Sequence, residues 1–100
     1  MTQIETTAKT VTGLQEPPQY RVVYMNDDKT PAEFVMTSLI DVFDYAPGSA
    51  EEITWSIHNN GSAVVAVLPY EVAEQKGVEV TMAARQEGYP LQLKLEPEVV

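Results

Sequence analysis

The sequence contains no cysteine and a single histidine, His58. Without thiols the chain can form no disulfide, no zinc finger and no cysteine nucleophile. One imidazole also cannot supply the several histidines that a multi-histidine metal site needs. Thiolate sites and multi-histidine sites are therefore excluded, and we expect neither a metal nor another cofactor.

Basic residues are scarce as well: six Lys and Arg stand against fifteen Asp and Glu, which leaves a net charge of −9. Six scattered cations provide no phosphate-binding stripe, which argues against nucleic acid and against anionic membranes as partners. The charge favours a cationic partner instead.

Long apolar runs are also missing from the sequence. No stretch approaches the roughly 20 residues that a membrane span needs. The first residues have neither the basic-then-apolar order of a secretory signal nor the arginines of a transit peptide, so we expect an intracellular protein.

The length of 100 residues allows one domain with one modest core. Residues 1–18 are rich in threonine and end in Pro17-Pro18, which predicts a disordered N-terminal extension. Residues 19–97 are expected to form the core domain, and residues 98–100 a flexible C-terminus.

Hydrophobic periodicity predicts six elements in the order strand, helix, helix, strand, helix, strand. Leu91, Leu93 and Leu95 alternate with polar residues and provide the clearest strand pattern. The order predicts an α+β two-layer sandwich, in which three helices pack on a three-stranded antiparallel sheet. The predicted strands are residues 19–25, 62–68 and 91–95, and the predicted helices are residues 31–45, 49–59 and 69–87.

Local signals predict where the helices begin and end. Thr30 is expected to cap the first helix, with Glu33 closing a capping box, and Ser49 and Glu52 form the same pattern before the second helix. Gly61 is a predicted left-handed cap at the end of that second helix.

Two packing predictions come from the second half of the chain. The nearly continuous Val/Ala/Leu run of residues 62–68 predicts a strand covered on both faces, or nearly so. Ala73, Gly77, Val80 and Ala84 form a stripe of mostly small residues, and a close approach to the sheet would explain why a glycine is kept there.

The most distinctive chemistry lies in the acidic turn Asn26-Asp27-Asp28, together with His58. These carboxylates and the imidazole could form an acid/base set or a mixed metal site, but no catalytic motif supports either, and we expect no enzyme. Their oxygens and a neutral imidazole could instead accept hydrogen bonds from an ammonium group, and capture of an N-terminal amine is a known recognition mode. A third interpretation is an acidic interaction domain that binds a basic partner surface.

Four separated motifs span about residues 19–96. The first is Asn26-Asp27-Asp28-x-Thr30-Pro31-x-Glu33-Phe34-Val35, and the second is His58 with Gly61 three residues later. The third is Glu71-Val72-Ala73-Glu74-x-Lys76, and the fourth consists of the pairs Pro90-Leu91 and Leu95-Glu96. Together, in this order and with this spacing, they resemble the signature of the ClpS adaptor family.

The resemblance implies a non-enzymatic adaptor that recognises N-degrons, meaning a free α-amino group followed by a bulky apolar first side chain. It implies delivery of such proteins to a Clp AAA+ unfoldase for degradation. An acidic domain that docks on the unfoldase without N-degron selectivity is the alternative. The family's fold, three helices on a three-stranded sheet, agrees with the predicted order of elements.

The resemblance also assigns residues to roles. Glu71 and Lys76 would dock on the N-terminal domain of an unfoldase of the ClpA or ClpC type, and residues 1–18 would match the family's delivery extension. We expect a monomer in the bacterial cytosol, with an organelle stroma left open. The residues implied to hold the α-amino group are Asn26, Asp27, Asp28 and His58, and those implied to line the side-chain pocket are Tyr24, Thr30, Ala32, Val35, Thr54, Ile57 and Leu91.

The sequence departs from the family pattern at the pocket. Ala32 and Thr54 each stand where many relatives have a methionine, and the large Tyr24 stands where relatives tend to be aliphatic. Both methionine replacements remove apolar volume, so we expect the preference for the first residue of the degron to differ from the common set of Phe, Tyr, Trp and Leu.

Overall fold

The structure is a computed structural model, and it describes residues 17–99. It confirms the predicted order of elements and the α+β class. Most of the predicted N-terminal extension, residues 1–16, and Val100 of the predicted C-terminal tail lie outside the described residues. The elements are β1 (Gln19–Met25), α1 (Ala32–Phe43), α2 (Pro47–Asn60), β2 (Ser62–Pro69), α3 (Tyr70–Gln86) and β3 (Gln92–Pro97).

The sheet has the strand order β2-β1-β3, and both pairings are antiparallel. The end of β1 lies beside the start of each neighbour, because Met25 pairs with Ser62 on one side and Gln92 on the other. Antiparallel pairing therefore brings the chain leaving β1 next to the chain entering β2, which has just left α2.

The core lies between the sheet and the helices. Val22 and Tyr24 of β1 are fully buried, as is Leu39 of α1. The Tyr24 hydroxyl lies 2.8 Å from the Ser38 hydroxyl, which itself donates to the Val35 carbonyl at 2.7 Å. Burial raises the pKa of Tyr24 and keeps the phenol neutral. The two hydrogen bonds give the buried hydroxyls of Tyr24 and Ser38 a partner each.

Both helix starts differ from the sequence prediction. In α1 the capping position belongs to Pro31, whose backbone is extended, and no side chain caps the helix. Thr30 is one residue too early to cap, and its hydroxyl donates to Asp27 at 2.8 Å instead. The predicted capping box with Glu33 is therefore wrong, because the Asp27 side chain, three residues earlier in the same turn, accepts the threonine hydroxyl.

Helix α2 begins two residues before the predicted start. Ala46 occupies the capping position without a side-chain bond, and Pro47 is the first helical residue. Proline suits that place because its fixed φ matches the helix and its missing N–H would have no partner there. Ser49 and Glu52 thus lie within the helix, and the second capping box is also wrong.

The continuous apolar run predicted that β2 is covered on both faces, or nearly so, and this prediction is wrong. Val64 and Val67 are each 43% exposed, and Val65 is the one buried residue of the strand. In a two-layer fold a sheet can keep one face open, and periodicity cannot show this for a strand whose residues are almost all apolar.

The small-residue stripe of α3 is confirmed as buried: Ala73, Gly77, Val80 and Ala84 all face the core. The steric reason suggested for Gly77 is not supported. A Cβ added there would meet Leu93 Cδ2 at 4.0 Å as its nearest neighbour, which is ordinary van der Waals contact. The helix does not need a glycine at this point.

Gly77→Ala should therefore raise the free energy of unfolding, by up to about 1 kcal/mol, because alanine has the better helix propensity and fits the space. Urea denaturation of both proteins measures the difference. Gly61→Ala serves as the matched control and should destabilise, since Gly61 has a φ of 89°. If Gly77→Ala lowered the stability instead, the added methyl group would not fit against Leu93, contrary to the 4.0 Å distance.

Candidate functional site

The turn after β1 is attached to the end of α2. The Asn26 N–H donates to the Gly61 carbonyl at 2.9 Å, and the Gly61 N–H donates to the Ile57 carbonyl at 2.9 Å. Gly61 is left-handed and ends α2, as predicted. These two bonds join Asn26 to the last turn of α2, which carries His58.

Asp27 holds the shape of this turn. Its Oδ1 accepts the N–H groups of Lys29 and Thr30 at 2.8 and 2.7 Å, and its Oδ2 accepts the Thr30 hydroxyl at 2.8 Å. Partial burial opposes ionisation of this carboxyl, but the hydrogen bonds, aided by the positive charge of Arg85, outweigh it and lower the pKa of Asp27. Its neighbours Asn26 and Asp28 remain exposed.

The turn, α1 and α2 enclose a cavity of about 400 Å³. Nine of the eleven residues that the resemblance assigned to the amine site and the pocket line this cavity. Trp55 also lines it and was not predicted. The lining residues are Asn26, Asp27, Asp28, Thr30, Ala32, Val35, Thr54, Trp55, Ile57 and His58.

The cavity has an exposed mouth and a buried apolar floor. We call the exposed lining residues the cavity mouth; they are Asn26, Asp28, Ala32, Trp55 and His58. The buried lining residues are Val35, Thr54 and Ile57, each no more than 6% exposed. The Thr54 hydroxyl donates to the Ala50 carbonyl at 2.7 Å, so its polar hydrogen is engaged within α2. The cavity thus offers hydrogen-bond acceptors at the mouth and apolar contact below.

Two predicted pocket residues do not line the cavity. Tyr24 is fully buried beside Ser38, and Leu91 is 1% exposed. Both belong to the hydrophobic core behind the site. The pattern of the sequence could not separate a pocket wall from the core layer next to it, because both require large apolar side chains.

Trp55 is the lining residue that sequence reasoning missed. It is 53% exposed, and its ring lies edge-to-face against His58, with centroids 5.8 Å apart. The signal was present: positions three apart on a helix are neighbours, so a tryptophan three residues before His58 falls on the same side.

The two residues implied in docking lie on α3 but differ in their surroundings. Glu71 is exposed in the first turn. Lys76 is half-buried; its ammonium donates to the Val42 carbonyl at 2.8 Å and lies 5.8 Å from the centroid of the Phe43 ring. A cation at the end of α1 satisfies a terminal carbonyl and favours the helix dipole, so Lys76 also joins α3 to α1.

Neither a metal centre nor a membrane span is found in the described part of the chain. Across residues 17–99 no three His, Asp or Glu side chains gather in a way that could hold a metal ion. None of the helices there combines the length and the hydropathy needed to cross a bilayer.

The fold and the site together define a small binding domain, in which an α+β frame supports a cavity with an acceptor-rich mouth and an apolar floor. Residues 15–94 match the family described as ATP-dependent Clp protease adaptor protein ClpS. The chain therefore belongs to the ClpS family of Clp protease adaptors.

Known ClpS proteins match this chain over most of their length. The chain is 42% identical to the ClpS adapter protein of Helicobacter hepaticus, over 95% of this chain and 94% of that protein. It is 42% identical to the ClpS adapter of Clostridium acetobutylicum, over 82% of this chain and 81% of the relative. The structure of Agrobacterium tumefaciens ClpS2 bound to L-phenylalaninamide matches with a TM-score of 0.80 and 38% identity, covering 83% of this chain and all of that one.

Asp27→Asn should destabilise the protein by about 1 kcal/mol at neutral pH, because the turn loses charge-assisted hydrogen bonds. The pKa of Asp27 is lowered on folding, so its ionised form contributes stability that is present above the unfolded value of about 3.9 and is lost as the pH falls through the folded value. Urea denaturation between pH 7 and pH 2.5 should show the gap between the two proteins narrowing below about pH 4. A gap that stays constant or widens in acid would contradict this role.

Proposed function

We propose that this adaptor binds proteins bearing N-degrons in the cavity described above and delivers them to a Clp AAA+ unfoldase. The observation that carries the proposal is the meeting, in one cavity, of exposed acceptors with a buried apolar floor. A free amine and an apolar side chain leave the same Cα of an N-terminal residue, so a ligand of this kind needs the two surfaces side by side.

The amine would be held at the cavity mouth. An α-ammonium group has three N–H donors, and Asn26, Asp28 and a neutral His58 present an amide oxygen, a carboxylate and an imidazole nitrogen as acceptors. The carboxylate of Asp27 already accepts three hydrogen bonds from the turn. We therefore assign direct contact to Asp28 and give Asp27 the task of holding Asn26 and Asp28 in place.

The first side chain would enter the apolar part of the cavity, against Val35, Ile57 and the carbon atoms of Thr54. Because the Thr54 hydroxyl is engaged by Ala50, the floor presents little polarity to an apolar ligand. The exposed Ala32 contributes only a methyl group to the rim. The binding of L-phenylalaninamide, which has a free amine and an aromatic side chain, by the A. tumefaciens ClpS2 protein supports this ligand class.

Delivery would rest on α3 and on the N-terminal extension. Glu71 is free to meet the N-terminal domain of an unfoldase of the ClpA or ClpC type, and the bond from Lys76 to Val42 would hold the docking helix firmly on α1. Residues 1–18 would act in transfer of the substrate to the unfoldase. We propose a monomeric, non-catalytic protein that works in the bacterial cytoplasm.

Acetylation of the peptide N-terminus should weaken binding by at least about tenfold. The amide loses the positive charge and two donors, and each acceptor that the bound peptide covers without pairing it costs about 1–3 kcal/mol. Fluorescence anisotropy of labelled peptides beginning with Leu or Phe, free and acetylated, measures this loss of affinity. Asn26→Ala should make the difference between the free and the acetylated peptide smaller. Equal binding of the two forms would favour an acidic docking domain without N-degron selectivity.

Thr54→Met should move the preference toward the common set of Phe, Tyr, Trp and Leu, because it restores the side chain that many relatives have at this position and narrows the space open to a β-branched first residue. Since one methylene in an apolar pocket is worth about 1–3 kcal/mol, we expect the ratio of Phe to Val affinity to rise about tenfold. Competition with peptides that differ only in the first residue tests this, and Val64→Met on the exposed strand is the matched control. An unchanged ranking would show that Thr54 does not shape the pocket.

A further inference from the structure

The cavity mouth must also pass the rest of a bound polypeptide, a point that rests on the proposed function. The floor is closed by Val35, Thr54 and Ile57, which are almost fully buried. With the amine at the mouth and the first side chain pointing inward, the carbonyl of that first residue must point out of the cavity. The second residue of the substrate therefore leaves across the cavity mouth.

The mouth offers very unequal contact surfaces to that second residue. Asn26, Asp28 and His58 present small polar groups, and Ala32 presents a methyl. Trp55 is the large apolar side chain among them, and 53% of its surface is exposed. Aromatic side chains of this kind supply extensive contact area for little loss of conformational freedom, which is why they are enriched where proteins bind peptides.

The ring of Trp55 is also held in a defined position. Its edge-to-face contact with His58, with centroids 5.8 Å apart and planes at 83°, places it beside an amine acceptor. The two residues are three positions apart on α2, so the helix itself maintains their spacing. A peptide anchored at His58 thus finds the indole within reach of its next residue.

We propose that Trp55 is a specificity-determining residue for the second residue of the substrate. The indole face covers a large side chain at that position and has little to contact when the position is glycine. The selectivity it produces is separate from that of the amine acceptors and of the apolar floor, since Trp55 contributes to the mouth alone.

Free-amine peptides without tryptophan, with phenylalanine first and Gly, Leu, Tyr or Arg second, test this proposal. The wild-type protein should bind the Leu, Tyr and Arg peptides about tenfold more tightly than the Gly peptide, as expected when an exposed aromatic is covered. Trp55→Ala should reduce this spread to less than about twofold, and Trp55→Phe should retain part of it. Isothermal titration calorimetry measures all of these affinities without a label.

A second measurement uses the fact that Trp55 is the single tryptophan of the chain. Its fluorescence should change saturably with the Leu, Tyr and Arg peptides, and the Gly peptide at saturation should change it less. A wild-type spread below about twofold, or an equal spread in Trp55→Ala, would overturn the role of Trp55. Failure of the proposed function is distinguishable, because acetylated and free peptides would then bind equally in both proteins.

Discussion

The site depends on one hydrogen bond, from the Asn26 N–H to the Gly61 carbonyl at 2.9 Å. It continues the β1–β2 pairing by one step beyond Met25 and Ser62. Asn26 and His58 are 32 positions apart in the sequence, and this bond brings the turn of one against the helix end of the other. Gly61 makes the arrangement possible because its left-handed conformation ends α2 at the point where the carbonyl must face Asn26.

Within that frame, the polar residues of the turn differ in their surroundings. Asp27 accepts three hydrogen bonds from its own turn, so its charge is balanced locally and its carboxylate is fixed. Asn26 and Asp28, on either side, are exposed at the cavity mouth. The fixed carboxylate of Asp27 thereby helps to order the exposed groups on either side of it, and in the proposed site this order would reduce the entropy lost on binding.

The two ends of the adaptor are physically linked through α1. Ala32 and Val35 of this helix line the cavity, and Val42 near its other end accepts the ammonium of Lys76 from α3. The proposed docking helix and the proposed binding cavity thus share one rigid element. In the proposed function, this shared helix would fix the position of the cavity relative to the docking surface.

Much of this protein was determined by the sequence alone. The alternation of Leu91, Leu93 and Leu95, the Gly61 stop and the buried stripe of α3 specify their elements locally, so the order of elements and the α+β class could be predicted. The resemblance to the ClpS family, carried by the motif around Asn26 and the spacing to His58, implied nine of the residues that line the cavity. The helices and strands could be predicted because each is set by neighbours a few positions away, whereas the cavity residues could be named only through the resemblance.

Only the structure decided the features that the sequence pattern left open. Thr30 fits a helix cap by its pattern, yet Asp27, three residues earlier, accepts its hydroxyl and the capping position belongs to Pro31. The apolar run of β2 does not show that Val64 and Val67 are exposed, because the coverage of a sheet face is set by how the helices pack on it. Tyr24 and Leu91 lie in the core, whereas Trp55 lies at the cavity mouth. Only the packing of α1, α2 and the sheet determines which apolar side chains line the cavity and which contact one another.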